Sequence, residues 1–276
     1  MSNRFRFAPL LAVLVLAGSA RSVCVAQTLE TETARLVPAG WWKVGTAFEL
    51  QTSSEGREGA APILAEYGLS DHLELVLEPV PYTAIRPKAG RHATGPGDFE
   101  VTLVYQLRPE SRRVPALAMA AEVKIPTARN QLIGTEQTDY AAYFIASKRF
   151  GHFDAHANLA YTVPGSPPGT HLNNLLSYAT ALVYRPNPRW EIFGEVFGNT
   201  STGPEGETAA GGGAATVVPE ATGGELVETV GAGRYVRQNL LLYLAVSHDN
   251  LGAVQYRPGL TFKFPTGRAA HAAASK

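Results

Sequence analysis

Apolar and polar residues alternate one for one over long runs of this chain. From Phe153 onward every second residue is apolar: Phe153, Ala155, Ala157, Leu159, Tyr161, Val163. Between them fall His152, Asp154, His156, Asn158, Ala160 and Thr162. A side-chain period of two puts the two sets on opposite faces of one strand. Trp41–Gln51 repeats the pattern, with Trp42, Val44, Thr46, Phe48 and Leu50 against Lys43, Gly45, Ala47, Glu49 and Gln51. So does Asp98–Arg108, where Phe99, Val101, Leu103, Tyr105 and Leu107 share a face. Further runs at 61–68, 72–80, 115–125, 138–149, 174–185, 189–198, 225–236, 239–247 and 254–264 bring the expected count to about twelve strands. Each is close to the roughly 9–11 residues that a tilted membrane strand needs.

The connections alternate as well. Polar, Gly/Pro-bearing loops follow the odd-numbered strands at 52–60, 81–97, 126–137, 164–171 and 199–224. Short turns such as Leu69-Ser70-Asp71, Phe150-Gly151-His152 and Pro186-Asn187-Pro188 follow the even ones; the eleventh connection, 248–253, is shorter than the rule asks. Long loops on one rim and short turns on the other are the mark of a bacterial outer-membrane barrel, and a Greek-key sandwich has no reason to show it. The fold expected is all-β: a single antiparallel transmembrane β-barrel, with Pro126–Gln137 extracellular and the Phe150–His152 turn periplasmic. Two strands assign poorly. Glu225–Val236 mixes Glu228 and Arg234 with Leu226, Val230 and Ala232, and Asn239–Ser247 is apolar on both faces, as if packed against an internal plug or a subunit.

Composition sharpens this picture little. Formal charge is balanced, with 24 basic and 24 acidic residues, so nothing points to nucleic acid. At the N-terminus, Arg4 and Arg6 precede the apolar run Pro9–Gly18, too short to span a bilayer and followed by small residues. Residues 1–26 are expected to be a signal peptide, cut after Ala20 or Ala26. Residues 27–40 then form a periplasmic N-terminal segment, 41–264 the barrel and 265–276 a disordered tail. Cys24 is the single cysteine, so no disulfide framework is available.

Ionised groups facing lipid cost several kcal/mol near the midplane, so the charged residues of the polar faces belong inside. The expected lumen lining includes Glu100, Arg108, Glu122, Lys124, His152, Asp154, His156, Asn158, Glu191, Glu195, Arg257 and Lys263. His152, Asp154 and His156 could suggest a metal, but alternate strand residues stand about 6–7 Å apart, and a hydrated lumen already explains their polarity. No Gly-x-Ser-x-Gly motif occurs, and Ser247-His248-Asp249 are adjacent, so neighbouring side chains point apart. No metal, cofactor or catalytic residue is assigned, and an enzyme is not expected.

The last strand carries Arg257-Pro258-Gly259-Leu260-Thr261-Phe262-Lys263-Phe264. Arg257, Gly259, Phe262 and Phe264 resemble the assembly signal of bacterial outer-membrane barrels, with the departure that a tail follows Phe264. The resemblance implies the barrel-assembly machinery as a partner. Leu69–Leu75, Gly97-Asp98, Val123–Thr127 and Gly134–Tyr140 are together similar to an outer-membrane family named for the MetA pathway of phenol degradation. That resemblance implies a Gram-negative, porin-like transporter in contact with outer-membrane lipid, passing small hydrophobic or aromatic solutes by passive diffusion. The alternatives are an adhesive or structural barrel acting through its long loops, a soluble periplasmic lipid-binding barrel, and an outer-membrane hydrolase.

Overall fold

The computed structural model describes residues 29–169, 171–200 and 225–267. The expected signal peptide, most of the 199–224 loop and most of the tail lie outside the described residues.

Twelve antiparallel strands close into one barrel. The first four are interrupted: β1 is Trp41–Ala47 with Glu49–Thr52, and β2 is Gly56–Ala60 with Ile63–Gly68. Likewise β3 is Leu73–Pro79 with Thr83–Pro87, and β4 is Ala93–Gly95 with Phe99–Arg108. The rest are continuous: β5 Ala116–Ile125, β6 Asp139–Phe150, β7 Phe153–Val163 and β8 Leu175–Asn187. They end with β9 Trp190–Asn199, β10 Leu226–Arg237, β11 Leu240–Asp249 and β12 Val254–Pro265. Each strand pairs with the next, and β1 closes the ring against β12 from Trp41↔Pro265 to Ala47↔Gly259. Closure removes the sheet edges that an open sheet would leave unpaired.

Prolines explain three of the four interruptions. Pro62, Pro81 and Pro96 fall in the gaps of β2, β3 and β4, where a residue without an N–H cannot serve the ladder. Beyond the gaps the strands resume, so parts of the expected loops 52–60 and 81–97 are strand extensions on the long-loop rim. The connection between β5 and β6 folds onto them: Ile133 and Ala128 pack with Ala93, and Asp98 accepts the Ala128 N–H at 2.9 Å. The short-turn rim holds three register shifts, at Gln106/Arg108, Tyr184/Asn187 and Tyr235/Arg237.

The two faces divide as the period of two requires. Outward, Phe144, Leu159, Leu182, Ile192, Leu244 and Leu260 are 40 to 52 % exposed. A continuous apolar belt of this kind is far larger than the patches water-soluble monomers expose, and it suits hydrocarbon. Trp42 on Tyr67 (4.6 Å between centroids), Phe153 on Tyr184 (4.8 Å) and Phe262 on Phe264 (5.6 Å) gather aromatics toward the short-turn rim. Inward, Lys43, Asp154 and Glu191 are buried. The ambiguous strand β10 resolves with Val227, Thr229, Gly231 and Gly233 inside and Glu228 and Arg234 outside near opposite rims, Arg234 lying over the Trp190 ring.

The segment before β1 departs, over its described part from Leu29, from the periplasmic placement expected for residues 27–40. From Leu29 the described chain runs inside the barrel. It leaves at the short-turn rim, where Gly40 (φ 75°) reverses it into β1 and Ala39 bridges Gly68. Gly68 is needed there: a Cβ would stand 2.3 Å from the Pro38 carbonyl oxygen.

Candidate functional site

An extended segment inside a barrel has no ladder partner, yet its buried N–H groups must be bonded. Wall side chains supply the acceptors. Glu195 takes the N–H of Glu30 at 3.2 Å and both the N–H and hydroxyl of Thr31 at 2.6 and 2.5 Å. Asn158, its amide oriented to suit both partners, accepts the Glu32 N–H at 2.5 Å and donates to its carbonyl at 3.0 Å. The Ser147 hydroxyl accepts the Ala34 N–H at 2.9 Å, Gln106 donates to the Ala34 carbonyl at 2.7 Å, and Glu74 accepts the Val37 N–H. Leu29 adds an apolar contact, clustering with Ala181, Val183, Phe193 and Ala245. These bonds hold residues 29–37 as an internal plug. The apolar inner face of β11 is explained here: Ala245 meets Leu29.

Charges divide along the barrel. Toward the short-turn rim, Asp154 is fully buried among three guanidinium groups: Arg35 of the plug, Arg149 at 2.8 Å and Arg185 at 3.3 Å. Arg185 also reaches Glu191 at 3.3 Å, and Tyr235 donates to Glu191 at 3.2 Å. In the β4–β5 turn, Glu110 pairs with Arg35 at 2.9 Å and Lys148 at 3.0 Å. Partial burial pulls the Glu110 carboxyl upward, but the Arg149 N–H, Arg35 and Lys148 outweigh it and hold its pKa below the usual carboxylate value.

Beyond the plug toward the long-loop rim lies a cavity of about 320 Å³. Its wall mixes apolar side chains, among them Leu64, Val80, Phe197 and Tyr243, with acids. Arg257 is held there by Glu30 at 2.6 Å and Glu49 at 3.0 Å, and Lys124 by Asp139. Glu78, Glu100 and Glu122 converge, with carboxylate oxygens within 4.8 Å of one another. Thr102 and Tyr143 donate to Glu122 at 2.9 and 3.0 Å.

The residues singled out from sequence therefore fall into three places. Glu100, Glu122, Lys124 and Arg257 line the cavity. Asp154, His156, Asn158, Glu191 and Glu195 face inward on the plug or the arginine cluster, and Lys263 stands inside near Glu191. Arg108 and His152 do not face the lumen: both are exposed at the short-turn rim, Arg108 past a register shift and His152 in the turn, its Nδ1 on the Arg185 carbonyl at 2.8 Å. In the last strand, Phe262 faces outward and Arg257 inward.

Sequence reasoning missed the plug residues Glu30, Thr31 and Arg35; it expected Glu78 on the lumen side but not its meeting with Glu100 and Glu122. It also missed a cross-strand constellation: Ser147 Oγ lies 2.9 Å from His156 Nδ1, and His156 Nε2 lies 3.7 Å from Asp154. Ser147 and His156 are register partners on β6 and β7, which residue order alone does not reveal. The Ser147 oxygen is covered by the Ala34 N–H and Asp154 is taken up by arginines, so the trio serves the plug.

The family model described as "MetA-pathway of phenol degradation" matches residues 33–223. No curated protein sequence matches the chain. Among solved structures, an outer membrane channel from Pseudomonas putida F1 superposes with a TM-score of 0.65 at 12% identity, covering 86% of this chain and 100% of that one. The NanC porin superposes at 0.56 with 10% identity, covering 80% and 100%. The KdgM porin, solved with disordered oligogalacturonate, superposes at 0.54 with 12% identity, covering 80% and 99%. These likenesses establish the barrel fold.

Proposed function

The chain belongs to the MetA-pathway phenol-degradation family, and from that premise we propose that it is an outer-membrane channel for small hydrophobic or aromatic solutes, which move by passive diffusion. The observation that carries this reading is the 320 Å³ cavity, about the smallest of the range that holds small organic ligands, inside a closed barrel with an apolar outer belt. The wall around it offers both apolar surface and hydrogen-bonding groups. The long loops face outside the cell and the short turns the periplasm, and the plug narrows the periplasmic half, so solute passes only beside it or when it shifts. No reaction is assigned: the Ser147 hydroxyl is spent on the plug. The outward aromatics of β12 serve recognition by the barrel-assembly machinery.

The test is flux. Protein refolded into liposomes should admit benzyl alcohol and other small aromatic probes faster than protein-free liposomes do, while large sugars stay out. Folded barrels that admit no probe, with or without residues 29–37, would sink the channel reading in favour of a structural barrel.

A further inference from the structure

The cavity carries a charge bias that the rest of the lumen does not. Eight of its lining side chains are carboxylic acids, and only two, Lys124 and Arg257, are basic. Both basic groups are already held, Lys124 by Asp139 and Arg257 by Glu30 and Glu49. Glu78, Glu100 and Glu122 take part in no ion pair with the described residues, although their oxygens crowd within 4.8 Å. The guanidinium groups of Arg35, Arg149 and Arg185 lie instead around Asp154, on the other side of the plug. The plug follows the same division, turning Glu30 to the cavity and Arg35 to the short-turn rim.

Field lines inside a cleft with low-dielectric walls are focused along it. At physiological ionic strength the Debye length is about 8 Å, longer than the spacing of the three carboxylates, so salt does not mask them from a solute in the cavity. An anion must pass this group of acids with no unpaired cation to receive it. Glu78, Glu100 and Glu122 crowd too closely to be ionised all at once, but the negative charge they share has no ion-pair partner among the described residues, and a cationic solute can supply one.

We propose that the cavity is a charge filter: the channel admits neutral and cationic small solutes and rejects anions, with Glu78, Glu100 and Glu122 as the specificity-determining residues. This rests on the channel reading above and adds the electrical class of the solute. For an aromatic compound it means that the neutral acid form passes and the ionised carboxylate or phenolate does not.

Three probes with one ring test it: benzyl alcohol, benzylammonium and benzoate, with flux into liposomes normalised to benzyl alcohol in the same preparation. Benzylammonium should exceed benzoate several-fold, and a KCl gradient across a planar bilayer should give a reversal potential of potassium-selective sign. Glu78→Gln and Glu100→Gln, which break neither the Thr102 nor the Tyr143 hydrogen bond, should each lower the ratio. The triple variant with Glu122→Gln should bring it near one, with folding checked by heat-modifiable mobility. Benzoate passing as fast as benzylammonium, or a ratio unmoved by the single variants, overturns the filter while leaving the channel standing. If no probe passes even after removal of residues 29–37, the channel falls and the filter with it.

Discussion

Thr31 gives both of its polar hydrogens to one oxygen of Glu195, the backbone N–H at 2.6 Å and the hydroxyl at 2.5 Å. The two residues are 164 positions apart in sequence. The contact shows what a polar inner face can be for: Glu195 acts as a surrogate strand partner for a segment that has none.

Glu195→Ala should therefore loosen the plug more than the barrel. It strands three donors, and a buried unpaired donor costs roughly 1–3 kcal/mol. Benzyl alcohol flux should rise while the thermal midpoint of the barrel in detergent moves little. Unchanged flux with faster unfolding would assign Glu195 to the wall alone.

Asp154→Asn should destabilise the folded protein strongly. It leaves Arg35, Arg149 and Arg185 facing one another beside a neutral amide, and removing one partner from a buried ion pair costs about 3–5 kcal/mol. Adding Arg185→Gln should recover part of the loss. Denaturant unfolding in micelles reads both, and a loss within error for the single variant would contradict this account.

Gly231→Ala should be costly for a steric reason. An added Cβ would sit 2.3 Å from two atoms of the Phe193 ring and 2.7 Å from the Leu244 carbonyl oxygen. Overpacking of this kind costs about 1–3 kcal/mol. Phe193→Leu should relieve the ring clash and restore part of the stability. Because Phe193 belongs to the Leu29 cluster, that double variant should also release the plug, seen as faster proteolysis ahead of β1.

Acid should loosen the plug at the short-turn rim. The Glu110 pKa is lowered in the folded state, so its contribution is complete above the ordinary carboxylate pKa and is lost as pH falls through the lowered value. Arg35 then loses its Glu110 ion pair while keeping the one to Asp154. Hydrogen exchange of the 31–37 amides, corrected for the intrinsic pH dependence, should quicken below about pH 4. Glu110→Gln should show the faster exchange at neutral pH and abolish the change; the same pH dependence in that variant would remove Glu110 from the latch.

The fold was legible because a barrel wall writes itself into sequence twice, as a period of two and as alternating connection lengths. Phe153–Val163 shows the first and the Phe150–His152 turn the second. What was not legible is the third partner of each wall strand. Asn158 and Glu195 read as groups wanting water, and the structure gives them, and Ser147 beside them, backbone N–H groups of residues 30–34 instead. A wet lumen and a plugged one ask for the same residue types. The one local hint was Asn239–Ser247, apolar on both faces, where Ala245 covers Leu29. Cross-strand register also hid the Ser147–His156 contact and the meeting of Glu78 with Glu100 and Glu122, since tilt and stagger decide which inward residues share a height.

The seam between β1 and β12 joins the two ends of the described chain, and the Glu30–Arg257 pair spans the same ends from within, 227 residues apart in sequence. Hairpins such as β6–β7 form from neighbours, whereas the seam must close a very long loop, the slow kind of step in a topology of distant contacts. A plug that gripped Glu195 and Arg257 before the seam formed would, being continuous with Trp41, hold the first strand near the last and shorten that search. On that account its removal should slow the final stage of refolding and leave the early hairpin phases untouched, and an unchanged final phase would confine the plug to the finished barrel.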